Sequence, residues 1–374
     1  MQQFQFAQIL QMKRQQLKLT QEEIANFVGV TRAAVSKWEK GLSYPDITLL
    51  PKLATYFNLS IDTLLGYEPQ MTKENIDKLY AKFALRLASE PFEQVEADLK
   101  KVVKEYFSCF PLLMRIIQLY MNYYKNALDP IAALNRAIHI VEHIKNTSTE
   151  ISVQNEANIL EAFIHLLQGN AEQVLELLGT EPKIEQGNDQ IIATAHAMQG
   201  NIDMAKEVLQ VSMYQQLLGI ISNGTELLLH EVNNPKQYVE TIAKTETIIK
   251  LFRLENLQIN SLLVFYLKAS IGYMMMQKDD QALNMMENYV FACEKLKFPL
   301  EFHGDDYFYK VKNWIKRQPQ ISTQAPRDEQ SIKKDILGAF SQNPVFAPLY
   351  EHPKFKQYIK RLQLILKMEG ENEK

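Results

Sequence analysis

Cysteine is nearly absent from this sequence of 374 residues, which contains only Cys109 and Cys293. Two cysteines so far apart exclude the disulfide framework of a small secreted domain, and they form no zinc-ligand spacing. They are typical of reduced thiols in a cytoplasm. We therefore expect neither a disulfide nor a metal site.

Long apolar runs are also missing. The most apolar segment, residues 261–276, is interrupted by Lys268 and is shorter than the roughly 20 residues that span a bilayer. We interpret it as a core helix. The N-terminus has no charged region followed by a long apolar run, so no signal peptide is expected. The sequence predicts a cytoplasmic protein without a membrane segment.

Catalytic motifs are lacking as well. The sequence has no phosphate-binding loop, no nucleophile elbow and no redox cysteine pair. The stretch EFHGDD at residues 301–306 gathers carboxylates and a histidine, but no ligand spacing recurs. We expect no enzyme activity and no cofactor.

A strong charge of one sign is absent too, since the formal net charge is −3. The balance is uneven: residues 1–66 hold seven Lys plus Arg against five Asp plus Glu, whereas the remainder holds 34 against 39. The excess positive charge of residues 1–66 is small. A polyanionic partner such as DNA would bind well only if folding or dimerisation brought these cations together on one surface. The length exceeds one usual domain, so two or more are expected.

Residues 20–41, TQEEIANFVGVTRAAVSKWEKG, predict two short helices joined by a tight turn. Thr20 and Glu23 have the spacing of a capping box. Ile24, Phe27 and Val28 are predicted to form the apolar face of the first helix. Gly29 suits a left-handed C-cap, and Thr31 caps the second helix. This is the pattern of a helix-turn-helix DNA-binding element.

The second helix has two distinct faces. Ala34, Val35 and Trp38 are predicted to point inward, which leaves four small or hydrogen-bonding side chains outward: Arg32, Ala33, Ser36 and Lys37. Such side chains can approach base edges in a major groove.

Residues 1–66 resemble the Cro/cI-like (XRE) helix-turn-helix family, a five-helix lambda-repressor-like domain. The resemblance is carried by Arg14, Gln21, Glu22, Ala25, Val30, Ser36, Trp38, Glu39, Gly41, Pro45, Leu53, Ala54, Phe57, Asp62, Leu64 and Leu65. It implies that Gln21 contacts a phosphate and that Arg14 and Glu39 form a bracing ion pair. The implied DNA-binding residues are Gln21, Thr31, Arg32, Ala33, Ser36 and Lys37.

The rest of the chain is predicted to be helical, which makes the protein all-α. Residues 67–72 form a linker, because Pro69 favours an extended conformation before it. A helical body spans residues 73–316, a flexible connection 317–331, and a C-terminal helical cap 332–374. Apolar residues recur at three and four spacing through the body, with few glycines.

Two segments of the body match each other with a shift of 31 residues. Residues 155–178 and 186–209 align with Ala162 on Ala193, Gly169 on Gly200 and Leu178 on Leu209. Each is predicted to form a helix, a Gly-Asn turn and a second helix, which resembles tetratricopeptide (TPR) repeats. Such units stack into a solenoid with a concave groove.

Polar residues also repeat in register between these units. Asn155, Asn158 and His165 in the first unit correspond to Gln186, Asp189 and His196 in the second. Amides can hold the backbone of an extended peptide, so these six are candidate peptide-binding residues. The alternative is a solvated helix face.

The combination of a Cro-like domain and a TPR-like body resembles the peptide-responsive RRNPP regulators of Gram-positive bacteria, which include the Rgg and PlcR types. It implies a homodimeric, sequence-specific DNA-binding regulator that senses a short quorum-sensing peptide. The alternative is a body that docks a protein partner instead.

Overall fold

The computed structural model describes residues 5–67, 70–182, 187–318 and 321–368. Within these ranges the regular elements are helices, and the one β-bridge joins Glu301 to Gln324. The prediction of an all-α protein is confirmed. None of the helices in the described ranges is long and apolar enough to cross a membrane.

Five α-helices form the N-terminal domain: α1 (Phe6–Gln16), α2 (Gln21–Val28), α3 (Arg32–Glu39), α4 (Leu50–Phe57) and α5 (Ile61–Leu65). Their apolar faces meet in one core, whose fully buried members include Phe6, Leu10, Ile24, Val35, Leu53 and Leu64. Both ends of the domain meet where the Gln5 amide donates to the Leu65 carbonyl at 3.1 Å.

The predicted caps of α2 and α3 are confirmed. Thr20 and Glu23 form a complete capping box, and Gly29 has a φ of 85° in the left-handed region. The Thr31 side chain accepts from the Ala34 amide. Three local signals thus set the angle between α2 and α3.

The placement of Phe27 in the apolar face of α2 is wrong. Its side chain is 50% exposed, and its ring lies 4.2 Å from the ring of Tyr56. The buried residues of α2 are Ile24, Ala25 and Val28. The buried face of α2 is centred between Ile24 and Ala25. Phe27 therefore lies at the edge of this face, where its side chain stays partly exposed.

The helical body begins with six helices: α6 (Lys73–Ser89), α7 (Phe92–Glu105), α8 (Phe110–Tyr123), α9 (Pro130–Thr147), α10 (Ile151–Gln168) and α11 (Ala171–Leu178). Buried apolar residues of α6 to α10 form one core cluster, which we call the first lobe core. Sequential helices pack in order, α8 on α9 and α9 on α10.

Eight further helices follow: α12 (Asn188–Met198), α13 (Ile202–His230), α14 (Pro235–Leu251), α15 (Ile259–Met275), α16 (Asp279–Cys293), α17 (Val311–Arg317), α18 (Glu329–Ser341) and α19 (Pro353–Leu366). A second core cluster runs from Tyr214 to Leu366, and we call the helices around the two clusters the first and second lobes. The last helix, α19, packs on α16 and α18 through Phe355, Tyr358 and Leu362.

The two matching sequence units form separate helical pairs. α10 packs on α11, and α12 packs on α13. Among the described residues, neither helix of the first pair packs extensively on either helix of the second.

The two lobes are joined instead by the segment before α18. The Lys73 ammonium donates to the carbonyls of Gln318 and Ile321, and the Tyr80 hydroxyl donates to the Pro326 carbonyl. These residues belong to segment 317–331, expected from sequence as a flexible connection. In the structure this segment is hydrogen-bonded to α6, so it links the start of the helical body to its C-terminal part.

Candidate DNA-binding surface and ligand cavity

The outer face of α3 is available for contact. Arg32, Ala33 and Lys37 are exposed, and Ser36 is half-buried. On the opposite face Val35 and Trp38 are buried in the domain core. The helix therefore has a rigid apolar side and a free polar side, as a reading helix needs.

A partly buried ion pair braces α3 against α1. The Arg14 guanidinium donates to both carboxylate oxygens of Glu39, at 2.6 and 3.0 Å. The Glu39 side chain is only 4% exposed. The hydrogen bond to Glu39 raises the pKa of Arg14 above its usual value. The ion pair predicted from the family resemblance is confirmed.

Gln21 is part of the same network. Its amide nitrogen donates to Glu39 Oε2 at 2.8 Å, which links the start of α2 to the end of α3. A glutamine amide has two N–H donors, so one remains for a phosphate oxygen. Thr31, the sixth predicted DNA-binding residue, is exposed and uses its hydroxyl oxygen as the cap of α3.

Five of the six predicted peptide-binding residues lie on two helices, α10 and α12, that do not pack extensively on each other. Asn155 is exposed, and Asn158 and His165 are half-buried on α10. Asp189 and His196 are half-buried on α12, while Gln186 lies outside the described residues. In each histidine the Nδ1 atom is buried and has no protein partner among the described residues.

Exposed apolar side chains concentrate around these residues. On α10 to α12 they are Ile151, Ile159, Phe163, Leu166, Leu167, Leu175, Leu178, Ile191, Ile192 and Met198. We call this set the α10–α12 apolar surface. Exposed apolar side chains in such number on neighbouring helices of the chain mark contact with a macromolecule more often than with a small polar ligand.

A cavity of about 180 Å³ lies between the two lobes. It is lined by Asp77 and Tyr80 of α6, by Arg115 of α8, and by residues 298–300 and 322–332. Arg115 is 4% exposed, and its guanidinium carbon lies 3.7 Å above the centre of the Tyr80 ring. The cavity therefore contains a deeply buried cation.

A larger cleft of about 810 Å³ adjoins this cavity. The residues that line both spaces are Pro299, Leu300, Ala325, Arg327 and Ile332. The wider cleft also presents Asn256, Gln258 and Asn260. Its size lies within the roughly 300–1,000 Å³ usual for ligand sites.

Sequence reasoning did not identify this cavity. Its residues come from positions 77, 115 and 327, which no periodic pattern connects. One signal was present: Arg115 is the only charged residue of α8, FPLLMRIIQLYMNY. A lone charge in an apolar helix indicates a buried polar group that needs a partner.

The comparisons with known proteins concern mainly the N-terminal domain. A helix-turn-helix family profile matches residues 10–64. The HTH-type transcriptional activator BcrR of Enterococcus faecalis is 37% identical over 81 residues, which cover 20% of this chain and 40% of BcrR. The chain thus spans less than half of that relative.

A second relative is covered more completely. The uncharacterized HTH-type transcriptional regulator YqaE of Bacillus subtilis (strain 168) is 30% identical over 86 residues, covering 23% of this chain and 69% of YqaE.

Two solved structures align with most of this chain at low sequence identity and low TM-score. The apo form of the competence regulator ComR from Streptococcus vestibularis has a TM-score of 0.27 and 13% identity, covering 85% of this chain and 98% of ComR. ComR from S. thermophilus, in complex with DNA and its signalling peptide ComS, has a TM-score of 0.22 and 12% identity, covering 77% and 92%.

Proposed function

Because the chain belongs to the XRE-type helix-turn-helix transcriptional regulators, we propose that it binds a specific DNA sequence as a dimer and that a short peptide bound by its helical body alters this binding. The observation that carries the DNA-binding part is the exposed polar face of α3, held by the partly buried network of Arg14, Gln21 and Glu39. We place this activity in the cytoplasm.

We propose that Arg32 and Lys37 read bases, with Ala33 and Ser36 allowing close approach and with Gln21 and Thr31 near the backbone. Both cations are exposed on α3, and each can donate to the guanine O6 and N7 acceptors. Arg32→Ala and Lys37→Ala should each cost about 1 to 3 kcal/mol on the preferred site.

The measurement is a gel-shift titration of the full chain at fixed salt. Lys104→Ala removes an exposed lysine of the body and is the matched control. It should leave affinity unchanged. Unchanged affinity in both α3 variants would show that these side chains are not the readers.

We further propose that the working form is a homodimer. One domain offers a single recognition helix of eight residues, and two-fold pairing over half-sites spaced by helical turns supplies the missing affinity. The α10–α12 apolar surface supports a second copy as its partner, because burying it against an identical surface removes it from water.

Light scattering of the full chain should report a dimer. Phe163→Glu places a charge in the proposed interface and should shift the protein toward monomer. Leu128→Glu, at an exposed leucine outside this surface, should not. A monomer both free and with operator DNA would contradict the proposal.

The peptide-sensing part is supported by the cleft of about 810 Å³ with its asparagine and glutamine side chains. Amides there can pair with the main chain of an extended peptide. Asn155, Asn158, His165, Gln186, Asp189 and His196 remain a second proposed contact set. The alternative is a body that docks a protein partner instead of a peptide.

Calorimetry with the peptides encoded beside the gene distinguishes these possibilities. A regulatory peptide should bind and change operator affinity by about 5- to 150-fold, since coupling between sites is usually about 1 to 3 kcal/mol. Asn155→Ala and Asn158→Ala weaken binding if the α10 residues contribute. If binding is unchanged in both, the site lies elsewhere in the body. If no peptide binds, the protein-docking alternative replaces this proposal.

A further inference from the structure

We propose that the cavity between α6, α8 and residues 298–332 binds the C-terminal residue of a peptide, with Arg115 receiving its free carboxylate. The inference rests on the proposed peptide-sensing function and identifies which end of the peptide is recognised.

Arg115 has hydrogen-bonding capacity that the protein does not use. Its Nη1 donates to Gln118 Oε1 at 2.6 Å, and its Nη2 lies 3.9 Å from Asp77 Oδ1, which is too long for a hydrogen bond. Its Nε is buried and has no protein partner. Burial lowers the pKa of Arg115. A buried guanidinium with free donors is stabilised by a carboxylate, which can accept two parallel N–H bonds.

Two further unpartnered atoms line the same cavity. Arg327 Nε is a second buried donor, and Asp77 Oδ1 is a buried acceptor. The terminal residue of a peptide has the complementary set, a carboxylate that accepts and an amide N–H that donates. The carboxylate would lie between the two arginines, with the N–H directed to Asp77.

Other atoms of Asp77 and Arg327 do have protein partners, since Asp77 Oδ2 lies 3.7 Å from Lys73 Nζ and Arg327 Nη1 pairs with Asp335. The remaining charged groups at the cavity are also paired. Asp328 caps α18 and pairs with the Tyr123 hydroxyl, and Glu329 pairs with Lys333 at 2.5 Å. Arg115 is thus the charged group at the cavity whose guanidinium has no carboxylate within hydrogen-bond distance, and a ligand carboxylate would supply one.

The apolar lining limits the size of the ligand group. Ala81, Ala84, Leu85, Phe298 and Ile332 surround the cavity. A volume of about 180 Å³ is below that of a whole ligand site, so it suits one residue with an apolar side chain. The remaining residues of the peptide would pass Pro299 and Leu300 into the larger cleft, which shares these lining residues.

The test uses three small probes on the full chain: N-acetyl-leucine, N-acetyl-leucine amide and free leucine. We expect N-acetyl-leucine to bind at least tenfold tighter than its amide, measured by calorimetry or ligand-observed NMR. Equal binding of acid and amide, or no binding of either, would overturn the proposal. Tighter binding of free leucine would show an amino-acid site and would also overturn it.

Variants identify the residue responsible. Arg115→Met keeps the length without the charge and should abolish the preference for the acid, and Arg115→Lys should weaken it because the planar fork is lost. Arg86→Met, at an arginine of α6 that pairs with Glu90 and Asp98, is the control. A folded Arg115→Met that still prefers the acid contradicts the assignment. If Arg115→Met does not fold, Arg327→Met tests the same site, because it removes the second guanidinium placed beside the ligand carboxylate, and it should weaken N-acetyl-leucine binding.

The two levels of the proposal can fail separately. If a regulatory peptide acts equally well with an amidated C-terminus, this inference fails and peptide sensing stands. If N-acetyl-leucine binds as expected but no peptide changes DNA affinity, the carboxylate site is supported and the proposed peptide-sensing function is contradicted.

Discussion

Glu39→Ala is expected to lower the free energy of unfolding of the N-terminal domain by about 1.5 to 3 kcal/mol, because the partly buried Arg14 guanidinium loses a charged hydrogen-bond acceptor. The Glu39 side chain is 4% exposed and that of Arg14 18% exposed. The substitution also removes the acceptor for the Gln21 amide. Since α3 is then braced by apolar packing alone, DNA affinity should fall with stability.

Trp38 gives a direct optical signal for this domain. The chain contains two tryptophans, so Trp314→Phe leaves Trp38 as the only one, and its fluorescence follows denaturant unfolding. Glu22→Ala is the matched control, since Glu22 is exposed in the first turn of α2 and should cost no more than about 1 kcal/mol. Equal losses from the two variants would contradict the bracing role of Glu39.

Gly272→Ala is expected to destabilise the second lobe by about 2 to 3 kcal/mol through overpacking. A Cβ at position 272 would lie 2.3 Å from the Tyr238 hydroxyl oxygen and 2.6 Å from its ring. Tyr238 is fully buried and donates to the Ala269 carbonyl at 2.6 Å. The ring therefore cannot move without losing that hydrogen bond.

Gly219→Ala is the same substitution as Gly272→Ala, but we expect it to stabilise the protein. Position 219 lies within α13, and a Cβ there meets no atom within 4 Å. Replacing a helical glycine by alanine in open space should stabilise by about 0.5 to 1 kcal/mol. Thermal unfolding of the two variants should shift in opposite directions. A shift in the same direction would show that the close approach of α14 and α15 is not as described.

The N-terminal domain was predictable from sequence because its signals are local. Thr20, Gly29 and Thr31 act within a few residues, and each cap appears in the structure as predicted. Phe27 was misplaced because a helix of eight residues gives too short a pattern to fix the centre of its buried face.

The arrangement of the body could not be obtained in the same way. Matching units at 155–178 and 186–209 indicate similar helical pairs, but whether two pairs stack depends on contacts far apart in the chain. The cavity could not be predicted either, because Asp77, Arg115 and Arg327 are far apart in sequence and come together only through tertiary packing. The lone charge in α8 was the one local trace of it.

Sequence-specific DNA binding by the full chain is the central claim, and a competition measurement tests it most directly. A preferred duplex is first selected from a random-sequence pool, and its affinity is then compared at one salt concentration with that of a scrambled duplex. We expect a preference of about 10³-fold or more, typical of specific regulators, reduced in Arg32→Ala and Lys37→Ala. Equal affinity for the selected and scrambled duplexes would contradict the account.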